Sequence, residues 1–170
     1  MTRPRHLPPT PPDRFMATEI ERKFLVTGDG WRSAVTRHID IRQAYLAVTD
    51  ANTVRVRIYG GTAFLTVKSA GVGLSRQEFE FPIPAAEAEA LLALRQGRII
   101  EKRRHIVPAG ALKWEIDVFG GDLAGLIVAE IELPDEAASF ARPAWLGAEV
   151  TGDRRYGNAQ LATGAAPAGG

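Results

Sequence analysis

No cysteine occurs anywhere in the chain, which rules out disulfides, thiolate metal ligands and a cysteine nucleophile together. No apolar run comes near the roughly 20 residues that a membrane-spanning helix needs, and the amino-terminal stretch lacks the apolar core of a secretory signal. No charge dominates either. Twenty-one lysines and arginines stand against 20 aspartates and glutamates, so nothing global points to nucleic acid or an anionic membrane, and any electrostatic function has to be local. These absences leave a soluble cytoplasmic protein as the expectation. The 170 residues, 45% of them hydrophobic, suffice for one domain with its own core. The three histidines, His6, His38 and His105, show no metal-ligand spacing and read as surface or loop residues.

Residues 1–15 are rich in proline and poor in periodic apolar residues, so they read as a disordered leader. The patterned domain spans 16–163. The alanine, glycine and proline of 164–170 read as a flexible tail, with fraying expected from Ala162 onward. Between these ends, short alternating segments predict strands over Glu19–Val26, Ile39–Val48, Thr53–Tyr59, Ala63–Ser69, Ser75–Ile83, Arg98–Ile106, Ala111–Phe119 and Leu126–Leu133, with a short last one near Glu149–Thr151. Gly60-Gly61 predicts a two-residue hairpin turn. Gly71-Val72-Gly73 lacks the lysine and the strand-loop-helix context of a phosphate-binding loop and reads as a hairpin connection. Pro84 to Leu94 has strong helix formers, a leading proline and early glutamates, and predicts a helix. A weaker helix is expected over Asp135–Ala141, and a short one near Gly30.

Successive strand residues alternate faces, so residues two apart share one. Glu19, Glu21 and Lys23 therefore lie opposite Ile20 and Phe24. Arg55 and Arg57 oppose Val54, Val56 and Ile58, while Lys68 opposes Leu65 and Val67. Arg76, Glu78 and Glu80 oppose Phe79 and Phe81. Lys102 goes with Arg104, Glu115 with Asp117, and Glu130 with Glu132. On any one strand this pattern describes the wet face of an antiparallel sheet. Taken together, the positions are almost all fully charged, with like charges repeated in pairs that repel unless opposite charge lies between them. A twisted sheet of this many strands tends to curl or close, which would gather these charges around a common interior. The acids are hard oxygen ligands suited to Mg2+ or Mn2+, and the arginines match phosphate oxygens in bidentate geometry. The pattern points to phosphate chemistry. Arg22 on the apolar side, and Glu101, Arg103 and His105 alternating against Lys102 and Arg104, do not fit it.

The ordered series Glu19-Ile20-Glu21-Arg22-Lys23, Gln43-Ala44-Tyr45-Leu46, Val54-Arg55-Val56-Arg57, Thr66-Val67-Lys68, Ser75-Arg76-Gln77-Glu78-Phe79-Glu80, Glu101-Lys102-Arg103-Arg104, Glu115-Ile116-Asp117, Ala129-Glu130-Ile131-Glu132 and Asp153 to Asn158 resembles the triphosphate tunnel metalloenzymes, or CYTH domains. Its E-x-E-x-K start looks like that of their short bacterial members. The resemblance implies a mainly β, closed eight-stranded antiparallel barrel with a few flanking helices, and dependence on Mg2+ or Mn2+. It implies metal ligation by Glu19, Glu21, Glu130 and Glu132, with Asp117, Glu78 and Glu80 contributing. It also implies phosphate binding by Arg55, Arg57, Lys68, Arg76, Lys102, Arg104 and Arg155, and a catalytic pair of Lys23 and Tyr45. The family more often has glycine where Ala44 stands. A lowered pKa is expected for Lys23 among other cations. Hydrolysis of inorganic triphosphate to pyrophosphate and phosphate is the expected activity. The alternatives are an adenylate cyclase, a hydrolase of ATP or thiamine triphosphate, and a non-catalytic polyphosphate-binding module. The expected partner is a triphosphate-containing small molecule, with no nucleic acid or membrane, on a monomer or homodimer.

Overall fold

Alternation of charged and apolar residues becomes a single nine-stranded antiparallel sheet in the computed structural model, which describes residues 20–69, 77–165 and 167. The strands are β1 Ile20–Val26, β2 Arg37–Val48, β3 Asn52–Tyr59, β4 Thr62–Ser69, β5 Glu78–Ile83, β6 Gln96–Ala109, β7 Leu112–Phe119, β8 Ile127–Leu133 and β9 Leu146–Glu149. Their order is β5-β4-β3-β2-β6-β7-β8-β1-β9. The turn between β3 and β4 is the expected one: Tyr59 pairs with Thr62, and Gly60 takes a φ of 58°, which a side chain would resist.

The sheet is strongly curled. Leu25 of β1 packs into the same apolar cluster as Tyr45 and Val48 of β2, although three strands separate β1 from β2 along the sheet. The ring of hydrogen bonds expected for a closed barrel is not formed among the described residues. β5 and β9 are the ends of the sheet, because the free edge of β1 is taken by β9, with Phe24 opposite Glu149 and Val26 opposite Leu146. The last strand thus forms earlier in the chain than Glu149–Thr151.

The convex face holds most of the core. Phe24, Trp31, Trp114, Ile116 and Ile131 are buried there, and burial of each large side chain stabilises by about 1.5–3 kcal/mol. Trp114 sits at the centre, with Phe24, Phe140 and Trp145 edge-on at 5.8, 5.5 and 5.5 Å between ring centroids. That packing explains why the helix expected over Asp135–Ala141 is absent. Asp135 instead closes a turn by accepting the Ala137 N–H at 2.8 Å, and the extended chain that follows brings Phe140 and Trp145 down onto Trp114. A 3-10 turn at Arg32–Ala34 stands near the helix expected at Gly30.

Helix α1, Ala85–Leu92, covers the other half of the convex face, burying Ala88 and Leu92 against Ala44, Val56 and Ala63. It stops before Leu94, and Arg95 Nη1 donates to the Leu92 carbonyl at 3.3 Å as the chain enters β6. A second helix, α2 at Asn158–Thr163, was not expected. It buries Leu161 and Ala162, so Ala162 and Thr163 are ordered parts of the fold. No described helix is long and apolar enough to cross a membrane. The leader 1–15, the Gly71-Val72-Gly73 connection, Glu19, Ser75 and Arg76 lie outside the described residues.

Candidate active site

Strand register decides where the charges go, since directly opposed residues of an antiparallel pair share a face. Glu21 stands opposite Glu132, Lys23 opposite Glu130, and Glu130 opposite Glu115. Asp117 is opposite Arg104, Ile41 opposite Lys102, Gln43 opposite Arg57, and Tyr45 opposite Arg55. Arg55 is opposite Thr66, Thr66 opposite Glu80, and Lys68 opposite Glu78. Every one of these side chains therefore lies on the single concave face. The charges that broke the pattern lie on the convex side and are paired there: Arg22 with Glu149 at 2.5 Å and Arg103 with Asp40 at 2.6 Å.

Three groups divide the concave face. At its acidic wall, Glu21, Glu115, Glu130, Glu132 and Lys113 line a small cavity of about 30 Å3. Lys23 Nζ reaches Glu130 at 2.7 Å and Glu21 at 3.5 Å. Burial and then the charge of Glu130 raise the Glu21 carboxyl above its ordinary value, the response of an acid placed beside another acid. The Lys23 environment differs from the expected one. Burial favours loss of its proton, yet Glu130 and Glu21 outweigh burial and the net shift is upward. Its nearest neighbours are carboxylates, and it stands as a firmly protonated ammonium.

At the centre, Asp117 is enclosed at 1% side-chain exposure. It accepts from Lys102 Nζ at 2.5 Å and from two Arg104 nitrogens at 2.8 Å. Arg104 also contacts Glu115, and Glu130 at 3.2 Å. Burial alone would raise the Asp117 carboxyl, but Lys102 and Arg104 hold it at about 2. Lys102, itself 2% exposed, has a lowered pKa through burial and lies 3.4 Å from the Asn158 side-chain oxygen at the start of α2. This cluster is a satisfied ionic lattice, with little surface left for a ligand at Lys102 or Asp117.

The cationic wall lies on β2, β3 and β4. Arg57 meets Glu80 at 3.1 Å, Lys68 meets Glu78 at 2.8 Å, and Thr66 donates to Glu80 at 3.2 Å. The Nε atoms of Arg55 and Arg57 and the Nε2 of Gln43 are buried without a partner. Burial, then Arg55, lowers the Arg57 pKa. Tyr45, 6% exposed, has its phenol pushed up by burial with partial relief from Arg55, so it keeps its proton at neutral pH.

The structure thus brings Glu21, Lys23, Tyr45, Arg55, Arg57, Lys68, Lys102, Arg104, Asp117, Glu130 and Glu132 to one face. Glu78 and Glu80 share that face but are paired with Lys68 and Arg57 on edge strand β5, apart from the acidic wall. Arg155 is not brought in: it is 73% exposed and pairs with Asp153 in its own turn. Among the described residues, no three carboxylate or imidazole groups form a ready metal cage. Sequence reasoning left Gln43, Thr66 and Asn158 without a role and Glu115 outside the metal set. The period-two signal was present for Gln43, two before Tyr45, and for Thr66, two before Lys68.

Residues 17–161 match the CYTH domain. The chain is 44% identical over 147 residues to an inorganic triphosphatase of Acetivibrio thermocellus, covering 86% of this chain and 94% of that protein. It is 45% identical over 152 residues to an inorganic triphosphatase of Nitrosomonas europaea, covering 85% and 97%. A crystal structure of an inorganic triphosphatase superimposes with a TM-score of 0.70 at 38% identity, covering 89% of this chain and 99% of that one. A family match over most of the chain and two relatives at 44% and 45% identity agree, and the chain belongs to the CYTH domain family.

Proposed function

We propose that the chain hydrolyses inorganic triphosphate to pyrophosphate and phosphate in the concave trough, with a divalent cation. The observation that carries this reading is the division of one face into a cationic wall, where the Nε donors of Arg55 and Arg57 are buried without partners, and a wall of carboxylates. A polyanion placed between them satisfies the first, and a cation satisfies the second. The acidic wall fits such an ion chemically, because Glu21, Glu130 and Glu132, with Glu115 beside them, offer only hard oxygens, and burial, then the charge of Glu130, shifts Glu21 toward protonation. That donor set suits Mg2+ or Mn2+. When bound, the ion would supply neutralisation of phosphate oxygens and orientation of the leaving group.

The chain's own residues supply the rest. Arg55 and Arg57, with free N–H groups, grip phosphate oxygens and stabilise the charge that develops on them. Lys23 and Tyr45 both hold protons, which suits them to donate hydrogen bonds to the reacting phosphoryl group rather than to abstract a proton from water. Water attacks the terminal phosphorus in line, a proton of the water passes to a phosphate oxygen, the bond to the bridging oxygen breaks, and pyrophosphate leaves. Sequence likeness to the two inorganic triphosphatases supports the substrate.

The test is a phosphate-release screen over triphosphate, pyrophosphate, ATP and thiamine triphosphate with Mg2+ or Mn2+, alongside an assay for cyclic nucleotide. Release from triphosphate above all others is expected. Cyclic AMP from ATP, or tight binding without turnover, would overturn the reading.

A further inference from the structure

Gln43 is 1% exposed, and its side-chain Nε2 has no hydrogen-bond partner. Buried polar groups in native proteins almost always have partners, and an unmet amide donor costs about 1–3 kcal/mol. A position serving only the core would be more stable with leucine or methionine. Register puts Gln43 on the concave face, between Ile41 and Tyr45 on its own strand, with Arg57 directly across on β3 and Ile100 across on β6. Directly opposed residues have Cβ atoms about 5 Å apart, so an oxygen gripped by Arg57 is within reach of the Gln43 amide. Arg55 and Arg57, its neighbours on β3, carry buried unpartnered Nε atoms as well. Three buried donors at facing and diagonal positions of β2 and β3 are therefore without an acceptor.

We propose that the Gln43 side-chain amide is a substrate-binding group that donates a hydrogen bond to an anionic phosphate oxygen held by Arg57. The inference rests on the triphosphate reading above and adds to it a neutral donor among cations. A neutral donor suits this place: Arg55 and Arg57 already repel one another, and another cation would add to that repulsion, whereas an amide adds a bond without charge. The unmet amide in the free protein is then the cost of a site prepared for its ligand.

The experiment compares wild type with Gln43→Met and Gln43→Leu, using steady-state kinetics on inorganic triphosphate with Mg2+, calorimetric titration with triphosphate, and thermal unfolding without ligand. Loss of a hydrogen bond to a charged oxygen should raise KM and weaken binding about tenfold or more. Ligand-free Tm should stay level or rise, because an unsatisfied donor has been removed. Gln43→Glu, which places a carboxylate against the phosphates, should weaken binding further than either apolar variant. KM within about twofold of wild type in both apolar variants overturns the inference while leaving the triphosphatase reading intact. A fall in kcat at unchanged KM also overturns it, by making Gln43 act through another group. Failure of the wild type itself to bind or hydrolyse triphosphate overturns the reading beneath it and the inference together.

Discussion

Removal of Asp117 should unfold this protein far more readily than removal of an ordinary surface acid. Asp117 and Lys102 have side-chain exposures of only 1% and 2%, and Arg104 adds two bonds at 2.8 Å. Asp117→Ala leaves two cations facing a void, and breaking a buried pair from one side costs about 3–5 kcal/mol. Replacing both partners, Lys102→Met with Asp117→Leu, should recover most of that loss, because the penalty for desolvating two ions disappears with their attraction. Protonation is the milder perturbation. A carboxyl held at about 2 instead of its ordinary 3.8 contributes about 2 kcal/mol of stability. Since the folded-state value is the lower one, that contribution is complete above about pH 5 and drains away as pH falls through about 2. Urea unfolding at neutral pH, repeated through the acid range, reads both effects. If Asp117→Ala stays within about 1 kcal/mol of wild type, or the double variant is no more stable than the single one, the account of this lattice is wrong.

Lys23→Ala should lower kcat about a hundredfold while KM moves less than about threefold; a loss confined to KM would restrict Lys23 to ground-state binding. Glu132→Gln, which leaves both carboxylate partners of Lys23 in place, should raise the divalent cation concentration for half-maximal phosphate release about tenfold, and an unchanged metal titration would remove Glu132 from the ligand set. Gly97 has a φ of 72°, and a Cβ there would lie 2.1 Å from the Ala162 carbonyl oxygen of α2. Gly97→Ala should therefore destabilise by about 2 kcal/mol or more, and a thermal melt that does not move would contradict that close approach.

Strands, the β3–β4 hairpin and helix α1 were legible because their signals are local. Period-two alternation also predicted which side chains share a face, and register then joined those faces across the sheet. Pairing within the face was less accessible. Alternation places Glu21 beside Lys23, but nothing local shows that Glu130 faces it, because that contact depends on how β8 docks beside β1, and the expected direction of the Lys23 shift was wrong for that reason. The turn at Asp135 was misread as a helix because its conformation answers to a distant tryptophan. Helix α2 was missed because it is short and owes its existence to a cleft between Ile100, Phe119 and Val128. Arg155 fits a motif by position, yet Asp153 two residues earlier satisfies its charge.

The placement of β1 between β8 and β9 has a bearing on how the molecule is made. The strand carrying Glu21 and Lys23 leaves the ribosome well before both of its neighbours, β8 and β9. Such distant pairing is slow to form and leaves an unmatched edge waiting through most of synthesis. The charged residues on that strand make it a poor template for aggregation during the wait. Nascent chains truncated before β8 should therefore lack Glu130 and Glu132 and leave Glu21 and Lys23 without their partner strand, and competence for phosphate chemistry should arrive abruptly once β8 docks rather than by degrees.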